Sequence, residues 1–303
     1  MDVLERIKWS FLYFSAVGLA IIFIYYLVKR AIPLVLKMTL LVIVTGAAIL
    51  ADMYLIEPNW LKVKEVTVRD ERLADILAGT RIVQISDIHA GRLIGFREES
   101  LVRKVNRLEP DLILITGDFI SDLSGLQSAM ETVRRMQATI GKFGVPGNND
   151  HYRLNPDGMV TEFAKTGLQL LRNENRRIPL KNGKVLNLVG VDDPVTGHAK
   201  IKIALTGVPS GEPVVMMAHS PSFLKTAVSA GVDLLLVGHT HGGQVGIPAL
   251  VRYFRNSSPT SYISGLMCEG KTLMYVNRGI GMTNKPVRFL CRPEITVFRF
   301  VRE

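Results

Sequence analysis

Residues 9–28 (WSFLYFSAVGLAIIFIYYLV) contain no charged side chain, and that run restricts the chain more than any other feature. A helix rising about 1.5 Å per residue covers about 30 Å in such a run, the thickness of a bilayer's hydrocarbon core. Inside a bilayer every backbone polar group needs an internal partner, so a run of this kind crosses as a helix or not at all. Lys29 and Arg30 end it. A second apolar run, residues 38–51 (MTLLVIVTGAAILA), continues past Asp52 to Ile56, and Asp52 stands near enough to the end to reach head groups. Trp9, Tyr13, Tyr25, Tyr26, Tyr54 and Trp60 fall toward the ends, as interfacial aromatics do. The expected arrangement is a helical hairpin anchor over residues 1–56, with helices at 9–28 and about 38–56. One span plus an interfacial segment is the alternative. Arg6 and Lys8 would suit the start of a signal peptide, but the apolar run is long for one and no A-x-A site closes it.

The loop 29–37 between the two runs carries three positive residues, against six on the other side (Arg6, Lys8, Lys62, Lys64, Arg69 and Arg72). The larger count puts the rest of the chain on the cytoplasmic face of the cell's inner membrane. The short, densely positive loop leaves an extracytoplasmic placement open. The first 56 residues hold five Lys or Arg and three acids, so the remainder carries +8 of the net +10. A basic domain beside a membrane suits anionic partners: phosphorylated substrates, lipid head groups or nucleic acid. Cys268 and Cys291 are too few for a disulfide scaffold, and neither has a metal-binding spacing.

From about Leu61 the pattern changes to short apolar runs alternating with amphipathic stretches. Strands are expected at 81–86, 112–116, 185–191, 214–218, 234–237, 273–277 and 295–300, all short and rich in Val, Ile and Leu. Helices are expected at 98–108, 124–138 and 220–230, the last opening on Ser220-Pro221 and stopping at Gly231. Strand–helix alternation of this kind is an α/β domain, here residues 61–303.

Polar residues collect just after the strands. RIVQIS runs into Asp87-Ile88-His89, LILIT into Gly117-Asp118, and residues 143–145 into Pro146-Gly147-Asn148-Asn149-Asp150-His151. VVMMA ends at His219, and LLLV ends at Gly238-His239-Thr240-His241. Ligands in α/β folds gather at the carboxyl ends of strands. Each piece alone has a plain structural explanation, such as a turn acid or a satisfied histidine. Jointly they do not, because five of the six histidines sit in these positions and only His198 lies elsewhere. His239 and His241 are expected to face the same way on an extended segment. Carboxylate, imidazole and amide donors without thiolate suit two divalent ions sharing one carboxylate: Mn²⁺ first, then Fe²⁺ or Zn²⁺.

In their order and completeness these segments resemble the calcineurin-like metallophosphoesterase superfamily, whose motif runs D-x-H, G-D, G-N-H-[DE], H, G-H-x-H. Residues 238–244, 276–281 and 293–296 are similar to the bacterial membrane-associated branch, the YkuE/YaeI-like phosphodiesterases. That branch in turn resembles enzymes that split UDP-diacylglucosamine. The resemblance implies two mixed β-sheets sandwiched between helices. It implies that Asp87, His89 and His241 hold one metal, that Asn148, His219 and His239 hold the other, and that Asp118 bridges. The chain departs from the motif at Asn149, where the family has a histidine that serves the leaving group. An amide cannot supply that proton at neutral pH. His151, two residues on, is a candidate substitute. Arg278, after the strand at 273–277, is a candidate phosphate grip.

Loss of the general acid matters least when phosphate or phenoxide leaves, so a pyrophosphate or activated diester is the expected substrate. With an anchor, a lipid-linked nucleotide diphosphate such as UDP-diacylglucosamine fits. A nuclease or cyclic-nucleotide phosphodiesterase is the rival within the class. No aromatic-interleaved basic stripe of the kind that binds single strands is evident, which disfavours nucleic acid. An idle scaffold that binds phosphorylated lipids would have no need of a full ligand set. Two spans with one marginal charge give a transporter no pathway.

Overall fold

The computed structural model describes Gly18 and residues 33–247 and 262–302. Apart from Gly18, the expected span 9–28 lies outside the described residues, and with it the first helix of the expected hairpin. The chain divides into two compact units, Met1–Asp52 and Met53–Glu303.

In the first unit, Leu34–Ala51 is an α-helix with an almost wholly apolar, unburied surface. The helical run continues through a wider turn, Asp52–Ile56, to a tight turn at Glu57–Asn59. Its 26 residues are long and apolar enough to cross a membrane.

The second unit contains two six-stranded mixed sheets. Strands β1 (Lys62–Arg69), β2 (Ile82–Ile85), β3 (Leu112–Thr116), β4 (Gly141–Val145), β5 (Leu168–Leu170) and β12 (Glu294–Val301) form the first, in the order β1-β12-β2-β3-β4-β5. Strands β6 (Glu174–Pro179), β7 (Val185–Gly190), β8 (Val214–Met217), β9 (Leu234–Val237), β10 (Gly265–Glu269) and β11 (Thr272–Val276) form the second, in the order β10-β11-β9-β8-β7-β6. The centres β2-β3-β4 and β7-β8-β9 are parallel. The strand period of two explains the layers. Leu112 and Leu114 of β3 face Leu234 and Leu236 of β9 across a shared core. Ile113 and Ile115 point the other way, onto the helices Phe96–Arg107, Leu126–Arg135 and Pro156–Ala164. Leu235 and Val237 point outward onto Ile201–Ala204 and Leu224–Ser229. The result is helix–sheet–sheet–helix, with the central parallel strands β2, β3, β8 and β9 buried on both faces.

The sequence reading passes over β1, although it pairs in parallel with β12 along its whole length. Its residues alternate charge with valine, and only Val66 and Val68 are buried. β4 carries an unusual buried cation. Lys142, 9% exposed, donates to the carbonyls of Val133 (2.8 Å), Met136 (3.1 Å) and Thr166 (2.7 Å). These carbonyls lie at or just beyond the C-termini of the helices Leu126–Arg135 and Pro156–Ala164, where acceptors lack intrahelical donors and the helix dipole favours a positive charge. Burial lowers the pKa of the ammonium. Cys268 is exposed and Cys291 buried, and both are free thiols.

Lys142→Met keeps the aliphatic stem and takes the ammonium donor from three carbonyls, of which Val133 keeps the Met136 N–H. It is expected to cost about 2–3 kcal/mol, or roughly 4–10 °C in Tm. Thermal unfolding of the detergent-solubilised chain measures this. A shift below about 1 °C would show that the helix ends do not need the ammonium.

Candidate metal centre

The carboxyl ends of β2, β3, β4, β8 and β9 are followed at once by Asp87, Asp118, Asn148, His219 and the His239–His241 segment. To leave a strand and point into the gap between two sheets, the backbone must turn sharply. Asp87 (φ 50°), His89 (φ 46°), Asp118 (φ 54°), His239 (φ 68°) and His241 (φ 52°) all take the left-handed conformation, which is uncommon outside glycine. This corrects the expectation that His239 and His241 lie on an extended segment facing one way. Thr240 between them is right-handed, so the chain coils and sends the two rings to different groups.

Those groups are Asp87, His89 and His241, and Asp118, His219 and His239, all buried, with the ligand atoms of each group close together. In the first, His89 Nε2 is 3.2 Å from His241 Nε2, which is 3.4 Å from Asp87 Oδ1. In the second, His219 Nε2 lies 3.1 Å from His239 Nδ1 and 3.4 Å from Asp118 Oδ2. Asp118 Oδ2 is also 3.3 Å from His89 Nε2, so this one oxygen stands between the groups. The opposite ring nitrogens are taken: His219 Nδ1 by the Thr116 carbonyl at 2.8 Å, His241 Nδ1 by the Gly281 carbonyl at 3.4 Å. That fixes the tautomers that aim lone pairs inward. Divalent ions bonded at about 2.0–2.2 Å set donors about 3.0–3.5 Å apart, which matches these spacings. Two buried oxygens, Asp87 Oδ1 and Asn148 Oδ1, have no hydrogen-bond donor. The donor set therefore fits a pair of divalent cations.

Burial and neighbouring charge pull the ionisable groups apart. Burial opposes the charge on Asp118, but His219 and His89 outweigh it and hold the carboxyl well below the usual range. Burial dominates at Asp87 and raises it, partly offset by His219. Burial, reinforced by His219, pushes His239 down to about 3. Burial and His89 likewise lower His241. At His219 burial opposes the charge, but Asp118 and Asp87 outweigh it and raise the imidazole well above its ordinary value, so a positive charge is drawn to the place where a cation would sit.

Close approach requires glycine at several points, Gly117 and Gly147 among them. A Cβ on Gly117 (φ 87°) would lie 2.5 Å from His219 Nδ1, and one on Gly147 would collide with Asp118 Oδ1. Two supporting groups lie outside the candidate ligand set. Asp150 accepts from Gly147 N at 2.9 Å and from Phe119 N at 2.9 Å, stapling the β4 loop to the β3 loop. Burial and the charge of Asp118 raise its carboxyl to about 7. Arg288, fully buried, donates to the carbonyls of Arg278 (2.9 Å), Gly279 (3.1 Å), Gly281 (2.6 Å) and Cys291 (3.0 Å), with His241 O at 3.5 Å. Asp150 stood in the motif and was readable there. Arg288, in a stretch of ordinary basic and apolar residues, had no signal.

The three remaining candidates are placed as follows. Asn149 donates its backbone N–H to Asp118 Oδ1 (2.9 Å) and its side-chain amide to Asp118 Oδ2 (2.7 Å). His151 binds Asp192 through Nε2 and stacks on exposed His198 at 4.5 Å. Asp192 also accepts from Arg172 Nε at 2.9 Å. The stem of Arg278 lies against Gly242, and its Nε is 3.7 Å from Glu294.

Residues 80–243 match the family model described as calcineurin-like phosphoesterase. The metallophosphoesterase YkuE of Bacillus subtilis is 30% identical over 247 residues, 80% of this chain and 86% of that one. The phosphodiesterase YaeI of Escherichia coli is 30% identical over 257 residues, 82% of this chain and 92% of that one. A zebrafish (Danio rerio) transmembrane protein with a metallophosphoesterase domain is 32% identical over 249 residues, 78% of this chain. The match spans only 56% of that longer relative. With the motif carried at the ends of five strands of two facing mixed sheets, the chain belongs to the calcineurin-like metallophosphoesterases, metal-dependent phosphoester hydrolases.

Proposed function

We propose that this chain is a membrane-anchored dinuclear phosphoesterase that cleaves a pyrophosphate or activated phosphodiester with a good leaving group. In this reading Asp87, His89 and His241 hold one ion, Asn148, His219 and His239 hold the other, and Asp118 bridges them. The observation that carries it is that a single Asp118 oxygen lies 3.3 Å from His89 Nε2 and 3.4 Å from His219 Nε2, while the buried oxygens Asp87 Oδ1 and Asn148 Oδ1 have no hydrogen-bond donor. Two such ions, Mn²⁺ in our reading, supply an activated water and neutralise charge on the phosphoryl oxygens. The chain's own groups orient the ligands, exclude bulk water and set the leaving-group requirement.

That requirement comes from Asn149. Its amide is engaged with Asp118 and has no proton to give. A leaving phosphate or phenoxide needs none. An apolar helix and the transmembrane relative support a membrane location. The positive-inside count supports a catalytic domain on the cytoplasmic side. A lipid-linked nucleotide diphosphate, of which UDP-diacylglucosamine is our example, combines the leaving group with the location.

Detergent-purified chain with Mn²⁺ should turn over UDP-diacylglucosamine and aryl phosphodiesters faster than cyclic nucleotides or single-stranded nucleic acid. Preference for a cyclic nucleotide would replace the substrate reading and keep the metal centre. Asp118→Asn should lower kcat at least about 100-fold and reduce bound metal toward one ion per chain, with the fold intact. Wild-type turnover with two ions per chain would remove Asp118 from the bridge.

A series of leaving groups tests the missing acid. Rate should change little among activated substrates and fall steeply for alkyl leaving groups. Asn149→His places a donor of pKa about 6.5 there and should rescue the poor leaving groups selectively, by about 10²-fold or more. His151→Ala should be silent in that assay. A strong His151→Ala defect confined to poor leaving groups, with no rescue by Asn149→His, would make His151 the displaced acid.

A further inference from the structure

The residues that close the apolar helix, Met53–Asn59, belong to the same compact unit as the metal centre. Glu57 within them is buried, and its carboxylate accepts the backbone N–H groups of Leu290 (2.7 Å) and Cys291. This contact fixes the loop 288–292 beside Trp60. The Arg292 guanidinium lies over the Trp60 ring at 3.9 Å, and its Nε donates to the Trp60 carbonyl at 2.9 Å. Leu290 projects from the loop with 63% of its surface exposed and a left-handed backbone, φ 54°. Glycine or asparagine would take that conformation more readily and would expose no apolar side chain. Burial within the fold therefore gives no account of this leucine. Trp60 is 39% exposed, and Tyr54 (49%) and Leu55 (67%) lie a turn or two before it.

We infer that Trp60, Leu290 and Arg292 form a lipid-contact site on the catalytic unit, with Leu290 entering the acyl boundary and Arg292 meeting an anionic phospholipid head group. The inference rests on Leu34–Asn59 being a membrane span. Trp60 directly follows that span in the chain, and an aromatic ring paired with a guanidinium suits the head-group level. Exposed Lys62 adds positive charge, while the nearby acid, Glu57, is occupied by the loop. Leu290 is distant from the span in sequence, so its immersion is a property of the folded unit and not of the tether.

The test uses the full chain in nanodiscs of phosphatidylcholine and phosphatidylglycerol, with or without bromine on the upper acyl chain. The two native tryptophans, Trp9 and Trp60, are replaced by Phe, and Leu290→Trp supplies the reporter. Brominated discs should lower the emission at least about twofold, and adding Arg292→Glu should restore most of it. Equal emission in both discs from embedded protein would overturn the site while leaving the span intact. Emission shielded from bromine and from aqueous iodide alike would assign the patch to a second copy of the chain, and would also overturn it. Failure to enter the discs would remove the span and this site together. If Leu290→Trp does not fold, Trp9→Phe leaves Trp60 as the reporter. Its quenching must then be relieved by Leu290→Ser and by Arg292→Glu, and no relief overturns the proposal.

Discussion

Asp87 and Asp118 are 0% and 1% exposed, and an ionised carboxylate at such depth is sustainable only beside compensating positive charge. The rest of the structure answers that demand. Four histidines and an asparagine surround the pair, and no lysine or arginine shares a described ion pair with either aspartate. Burial lowers His239 and His241, and His219, raised by Asp118 and Asp87, brings at most one positive charge to two carboxylates, whereas a pair of divalent cations would neutralise both. The same demand explains the backbone. Five residues in left-handed conformations cost of the order of 1–3 kcal/mol each. Such strain persists because two facing sheets, each packed on both sides, leave the strand ends nowhere else to go.

The supporting shell is built from charge without partners of opposite charge. Asp150 binds backbone N–H groups, and Lys142 and Arg288 bind backbone carbonyls. Each gathers the loose ends of separate elements at one point. Arg288 matters most to the site, because its guanidinium holds the Gly279–Gly281 turn whose carbonyl orients His241. Its own backbone N–H donates to the Met53 carbonyl at 3.0 Å. A short path of hydrogen bonds thus leads from the end of the apolar helix, through the loop 288–292, to a candidate metal ligand. The second compact unit accordingly includes Met53 and the turn that follows it.

What could be read in the sequence follows from physical range. The central strands β2, β3, β8 and β9 are apolar on both faces, and a short Val/Ile/Leu run ending in Asp or His is visible without a partner strand. β1 was not visible, because an edge strand with charged alternate residues resembles a solvated loop until β12 is laid beside it. The short helices Asn148–Arg153 and Ile201–Ala204 carry too few turns for a periodic signal. The candidate ligands at 87, 89, 118, 148, 219, 239 and 241 stand out in the sequence by residue type and by their order after short strands. Their directions do not, since a two-residue spacing implies one face only on extended backbone, and His239 and His241 sit on a coil of alternating hand. Arg288 was illegible in principle, because nothing local marks an arginine whose acceptors come from three stretches of the chain, His241, the 278–281 turn and Cys291.

Asn149 connects the departure from the family pattern to the geometry. A carboxylate has two lone pairs on each oxygen, and Asn149 occupies one on Oδ1 through its backbone and one on Oδ2 through its amide. The carboxylate is thereby held through both of its oxygens by one residue. A histidine at 149 would keep the backbone bond, and its ring would be free to serve a leaving group instead of Asp118. Under the proposed ligand set, position 149 thus trades proton supply against rigidity of the bridge. An enzyme whose leaving group already departs as an anion loses nothing by that trade, and it gains a fixed bridging carboxylate.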